Sequence, residues 1–491
     1  MIGQHKDVFS NEKLVGLNDH EVGKMVRVNI GANLQVLSDV LNHHDVWAFS
    51  LAGDGSTHQG VSFFNVRIHV CVGGRLFNIH LVVVPFYDRH SAVNICKMIC
   101  KLLDQLCSSW RHKLLSVSTD GENTMTGWKG GFVMLMDKES ANEVLRVWCP
   151  THQMDLIIQD ATVMISNGAF TKTTHSFTVH FRQEANLQLV MGSKCPKDTN
   201  RSAHFQGQLQ WLLTHRIKLL EWIEQQQHAS SPTVEYWIIA YAINPLAKAC
   251  NVMLVNLQQR NLCLSEQTDY FEFGVWWVTF KDVLVHVKDQ GTWVKDLFLL
   301  LTDEDQIGVL REIAEYALRL VKGLSLVQGK RDCRNNVAAQ LAPLVFPQHL
   351  YKMRMSYFIE HVVGPRREMM IKAWGEGLVD LIEQEHRALV EVVRGSAPLK
   401  RIVDSHSFQT MFNNAWDALP AQPALNHLRL FCGGLVSAFA NTTCVESDFS
   451  ILKCEKDAYR TCLMALSLEG VFQMKQMGTI DEMLGLLNPV K

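Results

Sequence analysis

No two cysteines in this 491-residue chain are separated by two residues, which removes the usual zinc-finger and thioredoxin-type motifs. No apolar run approaches the roughly 18 residues that a membrane-spanning helix needs. The opening MIGQHKDVFSNEK lacks the unbroken apolar stretch of a signal peptide. The thirteen cysteines are odd in number and irregularly spaced, which suits free thiols in a reducing compartment better than a disulfide scaffold. A soluble intracellular protein is therefore expected. Charge of one sign is also missing. Lys and Arg number 47 against 49 Asp and Glu, so no global positive field announces nucleic acid, although a neutral total is compatible with a local basic groove. No block of about 5 to 8 Lys and Arg supplies a nuclear import signal. With Gly at 30 and Pro at 12, collagenous and low-complexity classes are excluded.

Hydrophobic residues make up 47% of the chain, enough for a sizeable core. At about 100 to 200 residues per domain, the length fits two to four domains, or one domain with a large insertion. Val22, Val26, Ile30, Leu34, Leu37 and Leu41 recur at helical spacing, with Asn29 and Gly31 weakening the middle of that helix. From Val46 the pattern changes to β-rich runs, VWAFSLA, VSFFNVRIHVCV and LFNIHLVVVPF. They are separated by the turn signals GDGSTHQG and GG, so a three-stranded antiparallel meander is expected. A helix, the strand KLLSVST, another helix, the strand LRVWC and a helix from His152 follow, giving the order βββαβαβα. Beyond about residue 166 the periodicity is helical, and two helical patterns from Asn426 close the chain.

Asp54 follows an apolar strand and Asp120 ends KLLSVST, so both carboxylates emerge at strand ends of one sheet. Such a pair suits magnesium, a hard ion that prefers oxygen ligands and that, with a third acid, serves phosphoryl transfer. Taken singly, each motif has a plainer reading, because GDG is a common turn and TDGEN can cap a helix. Cys149 and His152 form one Cys-x-x-His, half a zinc site with no second pair at suitable spacing, which favours a structural role.

Four segments in this order, SLAGDGSTHQGVSFFNVRIHV, LLSVSTDGENTMTG, VWCPTHQMDLIIQ and CVESDFSILKCEKDAYRTCLMALSLEGV, resemble hAT-superfamily transposases over nearly the whole chain. The resemblance implies a mixed α/β, ribonuclease H-like fold interrupted by a large all-α insertion. Its boundaries would be an N-terminal helical segment at 1–45, the first part of the core at 46–165, the insertion at 166–425, and closing helices with a dimerisation region at 426–491. It implies a catalytic triad of Asp54, Asp120 and Glu446 holding two Mg2+ or Mn2+ ions, with Cys149 and His152 near the active site. It further implies DNA as substrate, nuclear residence, and a homodimer or higher oligomer formed through Phe449, Leu452, Leu463, Leu466, Leu468, Val471 and Phe472.

Departures accompany the matches. No Cys-x-x-Cys precedes Asp54, so the N-terminal zinc finger of many members is missing from this stretch. Ser202 stands where the family carries a Trp that assists hairpin formation, leaving Phe205 or Trp211 as substitutes, and Ser56 also replaces a favoured Trp. Arg201, Lys194 and Lys197 are candidate DNA contacts, with Lys172, Arg366 and Arg367 scattered beyond them. Two functions follow as expectations: metal-dependent DNA cleavage and transfer, or a catalytically inactive, dimerising scaffold for chromatin or protein partners.

Overall fold

The computed structural model describes residues 19–87, 91–127, 129–197, 202–226, 232–259, 263–267, 282–329, 342–407, 409–420, 425–456 and 464–487. Among these the chain is mixed α/β and mostly helical, with one five-stranded sheet. The first half runs α1 (Asp19–Asn42), β1 (Phe49–His58), β2 (Val61–Val72), β3 (Arg75–Phe86), α2 (Ala92–Leu106), β4 (Leu114–Thr119), α3 (Phe132–Glu139), β5 (Leu145–Trp148) and α4 (Pro150–Val163). The expected strand and helix order is present, with short helical turns added between elements.

The sheet order is β3-β2-β1-β4-β5. Two-residue turns, Gln59–Gly60 and Gly73–Gly74, all with positive φ, join β1 to β2 and β2 to β3 as antiparallel hairpins. β4 and β5 lie parallel to β1, which requires the crossovers that α2 and α3 provide. GDGSTHQG is not the turn expected of it. Residues Gly53 to His58 continue β1, paired with β2 from Gly53↔Val66 to His58↔Val61, and the reversal falls at Gln59–Gly60. Cross-strand pairing overrides the local turn preference of Gly and Asp.

Side-chain alternation divides the sheet into two faces. Phe49, Leu51, Phe64, Val66 and Ile68 join Ile95, Ile99 and Leu103 of α2 in one core. The opposite face carries Ala52, Phe63 and Val83 toward the closing helices, and Trp47, Leu115 and Val147 toward the helical region.

That helical region includes α5 (Val234–Leu257), α6 (Asp303–Gly329) and α7 (Glu376–Gly395), and its core is continuous with the sheet through Trp47, Leu115, Val147 and Met154. Contrary to the sequence expectation, α5 is long and apolar enough to cross a membrane, with a mean hydropathy of 1.5 over its best window. Its isolated polar residues, such as Asn244 and Lys248, conceal this from a search for unbroken apolar runs. It packs against α4 and α6, and one side of it, including Tyr236, Ile239, Ile243, Leu246, Cys250 and Leu257, is buried in the common core.

Four helices close the chain where two were expected: α8 (Asn426–Val436), α9 (Thr443–Glu455), α10 (Ala465–Lys475) and α11 (Met477–Leu487). Side chains compete with the backbone at the first break, where Ser437 Oγ donates to Gly434 O and Asn441 Oδ1 accepts from the Thr443 amide.

Candidate functional site

The paired part of β1 and β4 ends at Ala52↔Ser118. Asp54 and Asp120 each lie two residues further on, so both acids sit where these two strands part, Asp120 just past the end of β4 and Asp54 still within β1 and paired with β2. Asp54 is opposite Asn65 in β2, and Arg67 is opposite Ala52, which puts these polar residues on the face that α9 crosses. Asn65 Nδ2 donates to Asp448 Oδ2 at 2.9 Å, and Arg67 Nη1 reaches both Asp448 oxygens at 2.8 and 3.0 Å. These bonds fix the first turns of α9 over β1 and β2, bringing Glu446 to the two aspartates across the intervening helical region. The result is an open cleft of about 530 Å³ lined by Asp54, Ser56, Asp120, His152, Glu446 and Lys453, among others.

Burial dominates the electrostatics here. Asp54 is only 7% exposed. Burial first, then Asp120, pushes its carboxyl up to about 8, with Glu446 acting in the same direction and His152 and the Gly55 amide opposing. That amide donates to Asp54 Oδ1 at 2.7 Å. Asp120 is likewise raised, by burial and then by Glu122 and Glu446, against His152 and the Glu122 amide, which donates at 3.3 Å. Burial disfavours the charged forms of Cys149 and His152, yet their mutual contact outweighs it: the thiol is lowered and the imidazole is raised to about 9, with help from Glu446 and Asp54.

The three acids share one cleft, but among the described residues a different set in that region brings its ligand atoms close together. That set is Cys149, His152 and Glu446, whose ligand atoms all lie within 4.8 Å of one another. Cys149 precedes α4 and His152 lies in its first turn, so the Cys-x-x-His spacing puts both at one helix end. The third member comes from α9, which spacing alone could not reveal.

Other expected site residues are placed differently. Phe449, Leu452, Leu468 and Phe472 are buried with Ala52, Phe63 and Val83, so they form the chain's own core rather than an exposed dimerisation face. Phe449 also borders the cleft. Leu466 and Val471 are half-buried, and Leu463 lies outside the described residues, as does Arg201. Lys194 and Lys197 are exposed but line no part of the cleft. Of the two expected aromatic substitutes, Trp211 is buried and Phe205 is half-buried. Phe205 packs on Phe170, and the buried Trp211 donates its Nε1–H to Ser193 Oγ at 2.9 Å. The exposed tryptophan among the described residues is Trp148, at 42% exposure. Its indole lies so close over Gly121, the residue after Asp120, that a Cβ there would stand 2.5 Å from Nε1.

Sequence reading missed Lys453 and Gln258 in the cleft lining, and the buried network that seats α9. His80 lies 3.6 Å from Asp448 and 3.2 Å from Glu469, while Glu469 accepts from the Val83 amide and from Gln473. The available signal was Arg67 and His80 inside otherwise apolar strands, since buried charge demands partners. No family model matches this chain, and no curated protein is similar enough to count as a match.

Proposed function

We propose that the cleft is the active site of a hAT-transposase-like enzyme, or of a descendant of one, that cuts and joins DNA by metal-dependent phosphoryl transfer. On this reading the sheet is the ribonuclease H-like core, and the helical segment between α4 and α8 is the insertion. The observation that carries it is the meeting in one cleft of Asp54 and Asp120, from diverging neighbouring strands, with Glu446, from a helix near the end of the chain.

The residues fit Mg2+ or Mn2+. Three carboxylates offer hard oxygen donors, and Lys453 is the one lysine or arginine in the lining among the described residues, so a polyanion entering this cleft needs added cations. Asp54, Asp120 and Glu446 would hold the ions. When bound, such ions polarise phosphoryl oxygens and lower the pKa of water. The chain's own groups then have distinct tasks. Asp54, buried and crowded by Asp120, releases its proton readily only when positive charge arrives. His152 retains a proton at neutral pH, is partly exposed to the cleft, and is placed to hand that proton to a leaving oxygen. Lys453, on the same helix as Glu446, supplies a point charge for phosphate. Nuclear residence follows from a DNA substrate. A second copy, if it docks, must use a surface other than the buried Phe449, Leu452, Leu468 and Phe472.

One observation favours the inactive scaffold as the second reading: Trp211, one of the two expected aromatic substitutes, is buried and bonded to Ser193. Cleavage and strand transfer on linear DNA with Mn2+ or Mg2+, over a salt series, separates the two. Activity in the intact chain and its loss in Asp120→Asn is the expected result. Equal activity in both, or none together with no salt-dependent DNA binding, overturns the enzyme reading.

A further inference from the structure

Cys149, His152 and Glu446 combine a thiol, an imidazole and a carboxylate, the donor types that zinc accepts. We infer that this cluster is a distinct site for a borderline-soft divalent ion, zinc above all, with three protein ligands and a remaining position toward the cleft.

Geometry carries the inference. All three ligand atoms fall within 4.8 Å of one another, and His152 Nδ1 stands 3.7 Å from Glu446 Oε1. A tetrahedral zinc with bonds of about 2.0–2.3 Å holds its ligand atoms roughly 3.4–3.7 Å apart, so small side-chain rotations close the set. His152 Nδ1 is buried and has no hydrogen-bond partner, an orphan that a metal bond would satisfy. The sulfur is already held as a ligand should be: it contacts Thr151 Oγ1 at 3.0 Å and accepts from the Thr442 amide at 3.4 Å. Those contacts come from α4 and from the start of α9, so the elements that supply the ligands also orient the thiol. Cys149 is fully buried, while His152 and Glu446 reach the cleft, which leaves the open position on the cleft side. Such three-ligand sites with a free position are the arrangement of catalytic rather than closed structural zinc.

The site needs neither Asp54 nor Asp120 and does not rest on the phosphoryl-transfer reading; because it takes Glu446 and His152 as ligands, zinc held here and the roles proposed above for these two side chains are alternatives. The second compact cluster, His43, His44 and Asp45, contains no sulfur and cannot imitate it spectroscopically.

The test is Co2+ and Zn2+ titration of the full chain. One Co2+ should bind with a thiolate-to-metal charge-transfer band, be displaced by one equivalent of Zn2+, and persist in Asp120→Asn and in His44→Ala. The band should vanish in Cys149→Ser, and tight Zn2+ binding should weaken by about 10- to 100-fold or more in His152→Gln and Glu446→Gln. Because Cys149→Ser alters a buried position, the half-exposed His152→Gln serves as the variant that keeps its fold. Absence of the band in the unmodified chain, or its full survival in Cys149→Ser or His152→Gln, would overturn the inference.

Discussion

At the scale of single residues, Asp54 is the most informative position. Its carboxyl is raised from 3.8 to about 8 by burial and by Asp120, so its ionisation opposes folding. The sign follows directly. The stabilising contribution of the protonated form is complete below the unfolded value near 3.8 and is lost as pH rises through about 8. In metal-free buffer, thermal unfolding of the unmodified chain should therefore lose ground to Asp54→Asn as pH rises across that window. Added Mg2+ should restore the unmodified chain at pH about 8 and leave the variant unmoved. Superimposable pH profiles for the two proteins would contradict this reading. Asp54 and Asp120 were legible in the sequence because each follows a recognisable apolar run, although Asp54 lies within β1 rather than at its end, while Glu446 was legible only through the family resemblance. The environment that perturbs the two aspartates was not legible, since it depends on Glu446 and His152 arriving from elsewhere in the chain.

At the scale of elements, the strands after β1 were readable from period-two alternation, and the crossover helices from their apolar stripes. The second half of β1 was not, because its Gly, Asp and Ser content signals a turn when its β2 partner is unseen. The packing of the closing helices was not legible for a similar reason. A helix packed on its own sheet and one packed on a second copy show the same apolar spacing, and the burial of Phe449 and Phe472 beside Phe63 decides between them. Close contact between α8 and the sheet provides a test with two signs. A Cβ at Gly434 would stand 2.2 Å from Trp47 Nε1, whereas one at Gly308, inside α6, meets nothing within 4 Å. Urea unfolding should show Gly434→Ala destabilised by about 1–3 kcal/mol through overpacking. Gly308→Ala should be stabilised by about 0.5–1 kcal/mol through helix propensity. An unchanged or stabilised Gly434→Ala would show that α8 does not approach Trp47 as described.

At the scale of the whole molecule, the order of chemistry-bearing segments was visible in the sequence, but their convergence is a property of the fold. The helical region between α4 and α8 separates Asp120 from Glu446 along the chain, yet it shares a continuous core with the sheet. The network of Arg67, Asp448, His80 and Glu469 then fixes α9 on that sheet. On the proposed function, this long return completes a metal-dependent active site. The most direct measurement is the rate of DNA cleavage against Mn2+ concentration for the intact chain and Glu446→Gln. On the proposed reading Glu446 helps hold ions worth several kcal/mol of charge stabilisation, and its removal should lower the rate by about a thousandfold at any Mn2+ concentration. Metal-dependent cleavage of equal rate in both proteins would place the chemistry elsewhere and contradict the account.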